Sequence, residues 1–290
     1  LHLLETDLSI TDSKVRVHCH CLIVDANGKV KIERLAEFLR DAAIDYAVPR
    51  SKLTEAKARD EKFRSGSAVS SLHREAIRAF TDLTNTGEGG EMLVFLLCER
   101  FLKMPLVISK MDLKTDPRMH YHGADGVYAT ADKDGVLNLY WGESKMYEDP
   151  TTAIRDCLKS LSPFLNEPDA ETSDREQDLL LLSSKADLDD PHLTAAFRKY
   201  FDKKSSLSNR VRYCGVALVG FDAKFYTDDT KRIVFEDVAA AAKAEIEKWS
   251  KAIGRRIIAE KLGLFDIHFF CVPMPSVDGF RSAFLKALGK

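Results

Sequence analysis

Asp134-Gly135, set between two apolar runs, is a strong tight-turn signal and predicts a β-hairpin near the middle of the chain. The strands are residues 127–131 (VYATA) and 136–141 (VLNLYW). If residues 133 and 134 form the turn, residue 132 pairs with 135 and Asp125 lies opposite position 142. A one-residue change of register moves that partner to 143. Strand side chains alternate faces, so Glu143 and Lys145 project from the same side. One end of the sheet therefore gathers two carboxylates and an ammonium. A solvated Glu–Lys pair of this kind contributes only a few tenths of a kcal/mol to a sheet. Metal-assisted hydrolysis of a phosphodiester has a use for all three groups. Hard oxygen ligands suit Mg²⁺ (or Mn²⁺). Such an ion activates water and neutralises phosphate charge, and a lysine can orient the water or stabilise the pentavalent phosphate.

A further acidic group comes from the segment Gly87-Glu88-Gly89-Gly90-Glu91-Met92-Leu93-Val94-Phe95-Leu96-Leu97. Six successive apolar residues from Met92 to Leu97 predict a helix that is apolar nearly all round and hence buried. Glu91 falls in its first turn, where the helix dipole favours a carboxylate. Capping accounts for Glu91 without any chemistry, and Glu88 and Glu99 compete with it for a functional role. No GxxxxGK[ST] phosphate loop occurs, which disfavours nucleoside triphosphate chemistry; Gly87–Gly90 suits the start of a helix better.

A buried helix that begins with an acidic residue and leads to a D…ExK hairpin resembles the PD-(D/E)xK nucleases. The chain is more closely similar to the HamA-type nuclease subunits of the Hachiman anti-phage defence system. The residues that carry the likeness are Gly-Glu91-Met-Leu-Val-Phe-Leu-Leu, Gly-Ala-Asp125-Gly-Val and Gly-Glu143-Ser-Lys145. The general layout agrees over most of the chain, and the specific motifs lie within residues 87–147. The resemblance implies that Asp125 and Glu143 hold the metal, that Lys145 assists the attacking water, and that Glu91 completes the acidic site. It also implies DNA as substrate and a helicase subunit of the same defence system (HamB-like) as partner and gate. Ala124 stands where that superfamily has its eponymous proline, a backbone feature without a chemical role.

Around the hairpin, residues 15–24 (VRVHCHCLIV) read as a strand closed by the turn 25–28. Ile32, Leu35, Phe38, Leu39 and Ala42 make a helical stripe over 31–46, ended by Pro49. A charged stretch, 51–64, and an amphipathic helix, 69–81, follow. After the hairpin, Pro150 starts a helix stopped by Pro163, and the acidic segment 167–178 reads as an exposed loop or the start of a charged helix. Residues 213–219 and 267–272 read as central strands buried on both faces. The helix 236–261 between them is long enough for a parallel crossover, and a last helix, 276–288, covers the sheet. The fold class is α/β: a mixed β-sheet flanked by helices, with a PD-(D/E)xK restriction-endonuclease-like core over 85–290. Residues 1–84 form either a subdomain or an extension of the same sheet.

The net charge of −2 gives little intrinsic attraction to DNA, whose affinity for proteins rests on phosphate contacts. Basic residues do cluster at Arg198, Lys199, Lys203, Lys204, Arg210 and Arg212, and along a helix from Lys243 to Lys261. These are solvated helix faces, a DNA track or a partner surface. Six cysteines without CxxC spacing read as buried hydrophobes. Cys19 and Cys21 share one strand face, with His18 and His20 on the other, and a lone CxC is a weak zinc signal. His120 and His122, just before Asp125, either touch a phosphate or a metal-bound water or form a polar loop pair. No apolar run spans a bilayer and the N-terminus has no signal-peptide pattern, which points to the cytoplasm. The leading function is a metal-dependent deoxyribonuclease in a defence complex. The alternative is a catalytically silent, nuclease-like interaction subunit.

Overall fold

A computed structural model describes residues 1–83, 86–109, 111, 123–166, 173–186, 188, 191–202, 204–226 and 232–290. Seven strands form one mixed sheet: β1 (His2–Ser9), β2 (Val15–Cys21), β3 (Leu106–Ser109), β4 (Gly126–Ala131), β5 (Leu137–Met146), β6 (Val211–Asp222) and β7 (Ile267–Met274). Their spatial order is β1-β2-β7-β6-β5-β4-β3. The inner four strands, β2, β7, β6 and β5, are parallel, and antiparallel strands close both edges. β7 is buried at every position and β6 from Cys214 to Phe221, as both-face coverage requires.

Two helical layers provide that coverage. Toward one face pack α6 (Pro150–Asn166), which connects β5 to β6, and α9 (Phe235–Ala259), which connects β6 to β7. The opposite face carries α1 (Ile32–Asp41), α5 (Glu88–Leu96) and α10 (Val277–Leu288). Outside these, α2 (Ala43–Ala47) and α3 (Arg50–Phe63) pack on α4 (Ser67–Ala79). The buried Asp60 accepts the backbone N–H groups of Ala68 and Val69, so the charged stretch is a helix whose acid caps the next one. Farther on, α7 (Asp174–Lys185) and α8 (Pro191–Arg198) lie between β5 and β6 in sequence. Among the described residues no helix is long and apolar enough to cross a membrane.

Several boundaries differ from the sequence reading. The stripe over 31–46 is two helices divided at Ala42. Pro163 lies inside α6, because the last turn still buries Phe164 and Leu165. The missing hydrogen bond at a proline is tolerated where such burial offsets it. β1 and β3 escape the pattern rules: β1 is an edge strand with two register shifts and no clean alternation, and β3 has only four residues.

Candidate active site

The β4–β5 turn sets the register of the site. Asp132 N–H donates to Val136 O (3.0 Å), Gly135 N–H donates to Asp132 O (3.1 Å), and Gly135 has φ +72°. This is a three-residue loop ending in a left-handed glycine, one residue longer than the two-residue turn. Gly126 consequently faces Gly142 and Ala131 faces Leu137, which is the second of the two registers open in the sequence; the pairing stops at Gly126, and Asp125 bonds to Gly142 and Ser144 on either side of Glu143. The tip is braced from outside by Tyr200, whose hydroxyl donates to Gly135 O (3.0 Å), and by Arg210, which donates to Asp134 O.

The ladder ends at Asp125, and its polar groups turn to new partners. The Asp125 N–H still donates to Gly142 O (2.9 Å). Its carbonyl accepts the Tyr46 hydroxyl (3.0 Å), and its Oδ2 accepts both the backbone N–H (2.9 Å) and the hydroxyl (2.8 Å) of Ser144. Tyr46 OH also lies 3.3 Å from Glu91 Oε2, so a single phenol ties α5 to the start of β4. α5 reaches this place because Gly89 and Gly90 let its backbone approach. A Cβ on Gly90 would lie 2.9 Å from Met146 and 3.0 Å from the Ser144 hydroxyl, and one on Gly89 would lie 2.8 Å from Phe280. The glycines predicted as a helix start thus lie in the first turn of α5 and allow it to pack closely on β5.

Strand alternation divides the site. Ser144 and Met146 face α5, while Trp141, stacked on Phe164 of α6, marks the face to which Glu143 and Lys145 also belong. Lys145 Nζ lies 3.3 Å from Glu143 Oε2. Asp125 sits at the strand end where the two sides meet, and its charge acts on both. Burial raises the Tyr46 phenol and the Glu91 and Asp125 carboxylates raise it further. Burial would lower Lys145, but Glu143 and Asp125 outweigh it and hold the ammonium protonated, above the usual lysine value. Glu91, Asp125 and Glu143 are each only 5–6 % exposed. Their oxygens are the hard donor set that Mg²⁺ takes. Among the described residues these three do not form a group whose ligand atoms all lie within 4.8 Å of one another, so closing a coordination shell around one ion would need the carboxylates to move together.

Sequence reasoning missed Tyr46, Ser144 and Asp178. Ser144 stood inside the Glu-x-Lys motif but carried no signal of its own. Asp178 belongs to the acidic segment read as an exposed loop or the start of a charged helix; the helix starts at Asp174, and within it Asp178 and Arg175 are buried. Trp141 Nε1 donates to Asp178 Oδ2 (3.1 Å), and Arg175 lies over the Tyr213 ring and donates to the carbonyls of Phe164 and Leu165. Burial raises the Asp178 carboxyl to about 7, against the lowering effect of the Ala124 backbone N–H and the Trp141 indole. Asp178 is thereby tied to both strands that carry the site.

A raised carboxyl binds its proton more tightly in the folded chain than in the unfolded one. Its stabilising contribution is therefore complete below about pH 4, the unfolded value, and is lost as pH rises to about 7. Asp178→Asn, which keeps an acceptor and cannot ionise, should gain stability relative to the parent between about pH 5 and about pH 8. Urea unfolding at both values tests this, and an equal difference at the two would contradict it.

His120, His122 and Lys203 lie outside the described residues. The other basic clusters are largely engaged within the chain. Arg198 donates to Ser184 O and Ala186 O at the end of α7, Arg212 approaches Asp132 (3.9 Å), Lys248 and Lys251 pair with acids on α9, and Arg256 pairs with Glu260 just past its end.

A mixed α/β sheet with an Asp…Glu-x-Lys cluster at the end of two paired strands, backed by a glutamate from a buried helix, defines the class of the chain. A model of the HamA family matches residues 1–288, and the chain belongs to that family, a component of Hachiman anti-phage defence. No curated protein matches it.

Proposed function

We propose that this chain is the nuclease of its defence system, a Mg²⁺-dependent deoxyribonuclease of PD-(D/E)xK type. The observation that supports the reading most is that Asp125, bonded to Gly142 and Ser144 on either side of Glu143, and the Glu143–Lys145 pair lie at one strand end. Asp125 and Glu143 would hold the metal, with Glu91 drawn in from α5. When bound, the ion would supply an activated water and neutralise phosphate charge. Ser144 fixes Asp125 Oδ2 through two hydrogen bonds and Tyr46 positions Glu91. Lys145, kept charged by its carboxylate neighbours, serves as a donor to the reacting phosphate or its attacking water.

The same reading includes control by a partner that moves or unwinds DNA. A net charge of −2 gives the chain weak intrinsic attraction to a polyanion, and the sequence has no NTPase loop. A helicase subunit would deliver strands and raise the local DNA concentration. The gate is either steric or an ordering of the three carboxylates. Incubation with plasmid DNA and either Mg²⁺ or EDTA, with and without the co-expressed partner and ATP, tests both parts. Cleavage that needs Mg²⁺ and is accelerated by the partner is expected. Equal cleavage by the chain alone would remove the gating, and no cleavage under any condition would remove the nuclease reading.

A further inference from the structure

A second group of side chains of metal-ligand type lies away from the carboxylates, on the sheet face that Ser144 shares. His18 of β2 and His268 of β7 are buried, and their rings stack at 16° with His18 Nε2 facing His268 Nδ1 at 2.8 Å. Asp7 of β1 completes the group. One ligand atom from each of Asp7, His18 and His268 lies within 4.8 Å of the others, and among the described residues theirs is the group that meets this measure. By strand register His18 shares a row with Phe270, Leu218 and Ser144. Three strand spacings put it roughly 14 Å from Ser144.

Asp7 reaches this position through an irregular backbone. Between the pairs Glu5–Cys19 and Leu8–Val17 the β1–β2 register shifts, so Thr6 and Asp7 together face His18. Asp7 adopts φ +54°, a left-handed conformation that a residue other than glycine takes up only against steric cost. Bulges of this kind re-aim side chains. Here the outcome is an exposed carboxylate brought to two buried imidazoles, which leaves the group open to solvent on one side.

We propose that Asp7, His18 and His268 form a binding site for a transition-metal ion of the zinc type, separate from the Asp125–Glu143 centre. Two imidazoles and one carboxylate with a side open to water are a donor set that Zn²⁺ accepts in four-coordination. The ion takes the place of the hydrogen bond between His18 Nε2 and His268 Nδ1. The His18 proton then resides on Nδ1 and is donated to Thr6 Oγ1 at 3.0 Å, displacing the Asp7 N–H that donates to this nitrogen in the free chain (3.4 Å), and the Thr6 hydroxyl in turn donates to Asp7 Oδ2 (3.3 Å). No proton leaves the site in this exchange, and the outer hydrogen bonds fix the ring as they do around histidine ligands generally. Phe101 packs on His18 at 5.4 Å from the π-helical turn Leu97–Leu102 that continues α5. The site therefore braces the β1 edge and the far end of the helix that carries Glu91.

The test is zinc titration of the full chain after chelator treatment, followed by calorimetry. Asp125→Asn and Glu143→Gln are both introduced so that the other centre does not contribute. About one equivalent of Zn²⁺ should bind, and millimolar Mg²⁺ should not displace it, because imidazole favours the softer ion. Co²⁺ in place of Zn²⁺ should give the visible absorption of a four-coordinate site. Asp7→Asn is exposed and tolerates the left-handed backbone, so it should fold normally while weakening zinc by about tenfold or more. His268→Gln should abolish uptake. Absence of zinc binding by the parent, or unchanged affinity in Asp7→Asn, would overturn the site.

Discussion

Replacing Asp125, Glu143 or Lys145 by alanine should abolish Mg²⁺-dependent DNA cleavage while leaving the chain folded. On the proposed reading the two acids would supply the metal ligands, and Lys145 is a cation 3.3 Å from Glu143. Removing one preorganised electrostatic group from an active centre lowers turnover by about 10²–10³, and losing the metal itself should lower it further. The variants should separate by mechanism. Asp125→Ala and Glu143→Ala should lose Mg²⁺ affinity, whereas Lys145→Ala should keep the metal and lose the rate. Asp125→Ala also strips the Ser144 N–H and hydroxyl of their acceptor, so some stability is lost there, about 1–3 kcal/mol for a buried donor left unpaired. Asp125→Asn offers an acceptor to the same donors and provides the folded control. Glu91→Ala should be equal or milder, since Glu91 reaches the site through Tyr46. Circular dichroism and urea midpoints check the fold, and plasmid cleavage checks the activity. Undiminished cleavage by Glu143→Ala would sink the mechanism.

The hairpin and its acidic end were legible because a turn dipeptide and strand alternation act over a few residues. Asp134-Gly135 located the turn, while its type, and so the one-residue choice of register, depended on Gly135 being the left-handed residue. The central strands β6 and β7 were visible as apolar runs, since burial on both faces leaves no other composition. What stayed hidden are long-range pairings. Tyr46 precedes Asp125 by a long stretch of chain and lies in a helix whose apolar stripe accounts for it already. The inward turn of Asp178 cannot be read from a run of acids, because the Ala124 backbone N–H and the indole of Trp141, both distant in sequence, make its burial tolerable. The histidines of β2 were recognised as one strand face, but their partner His268 comes from the last strand and Asp7 from an edge strand without a pattern.

Trp141→Ala should be among the most destabilising single substitutions in the chain. Trp141 is fully buried in β5, directly before Gly142 and Glu143. Its ring stacks on Phe164 (6.2 Å, 18°) and meets Tyr213 edge-on (5.4 Å), which joins the strand to α6 and β6. Truncation of a buried tryptophan leaves a cavity and costs about 3–5 kcal/mol. The Asp178 carboxyl also loses its indole donor. Trp141→Phe separates the two effects, since it keeps most of the ring and removes the N–H, and should cost about 1–3 kcal/mol. Its pH dependence has a definite sign. The indole hydrogen bond lowers the Asp178 carboxyl, so it favours the ionised form. Its loss should therefore be felt more at about pH 8, where Asp178 is charged in the parent, than at about pH 5. In an Asp178→Asn background, where nothing ionises, the cost of Trp141→Phe should be the same at both pH values. Urea unfolding of the four chains forms a double-mutant cycle that measures the coupling directly. A Trp141→Ala chain within about 1 kcal/mol of the parent would contradict the packing assigned to this residue. A pH-independent cost of Trp141→Phe in the parent background would contradict the Asp178 link. Because Trp141 sits on the strand that carries Glu143 and Lys145, the same hydrogen bond should also steady the cluster, and Trp141→Phe should lower cleavage together with stability.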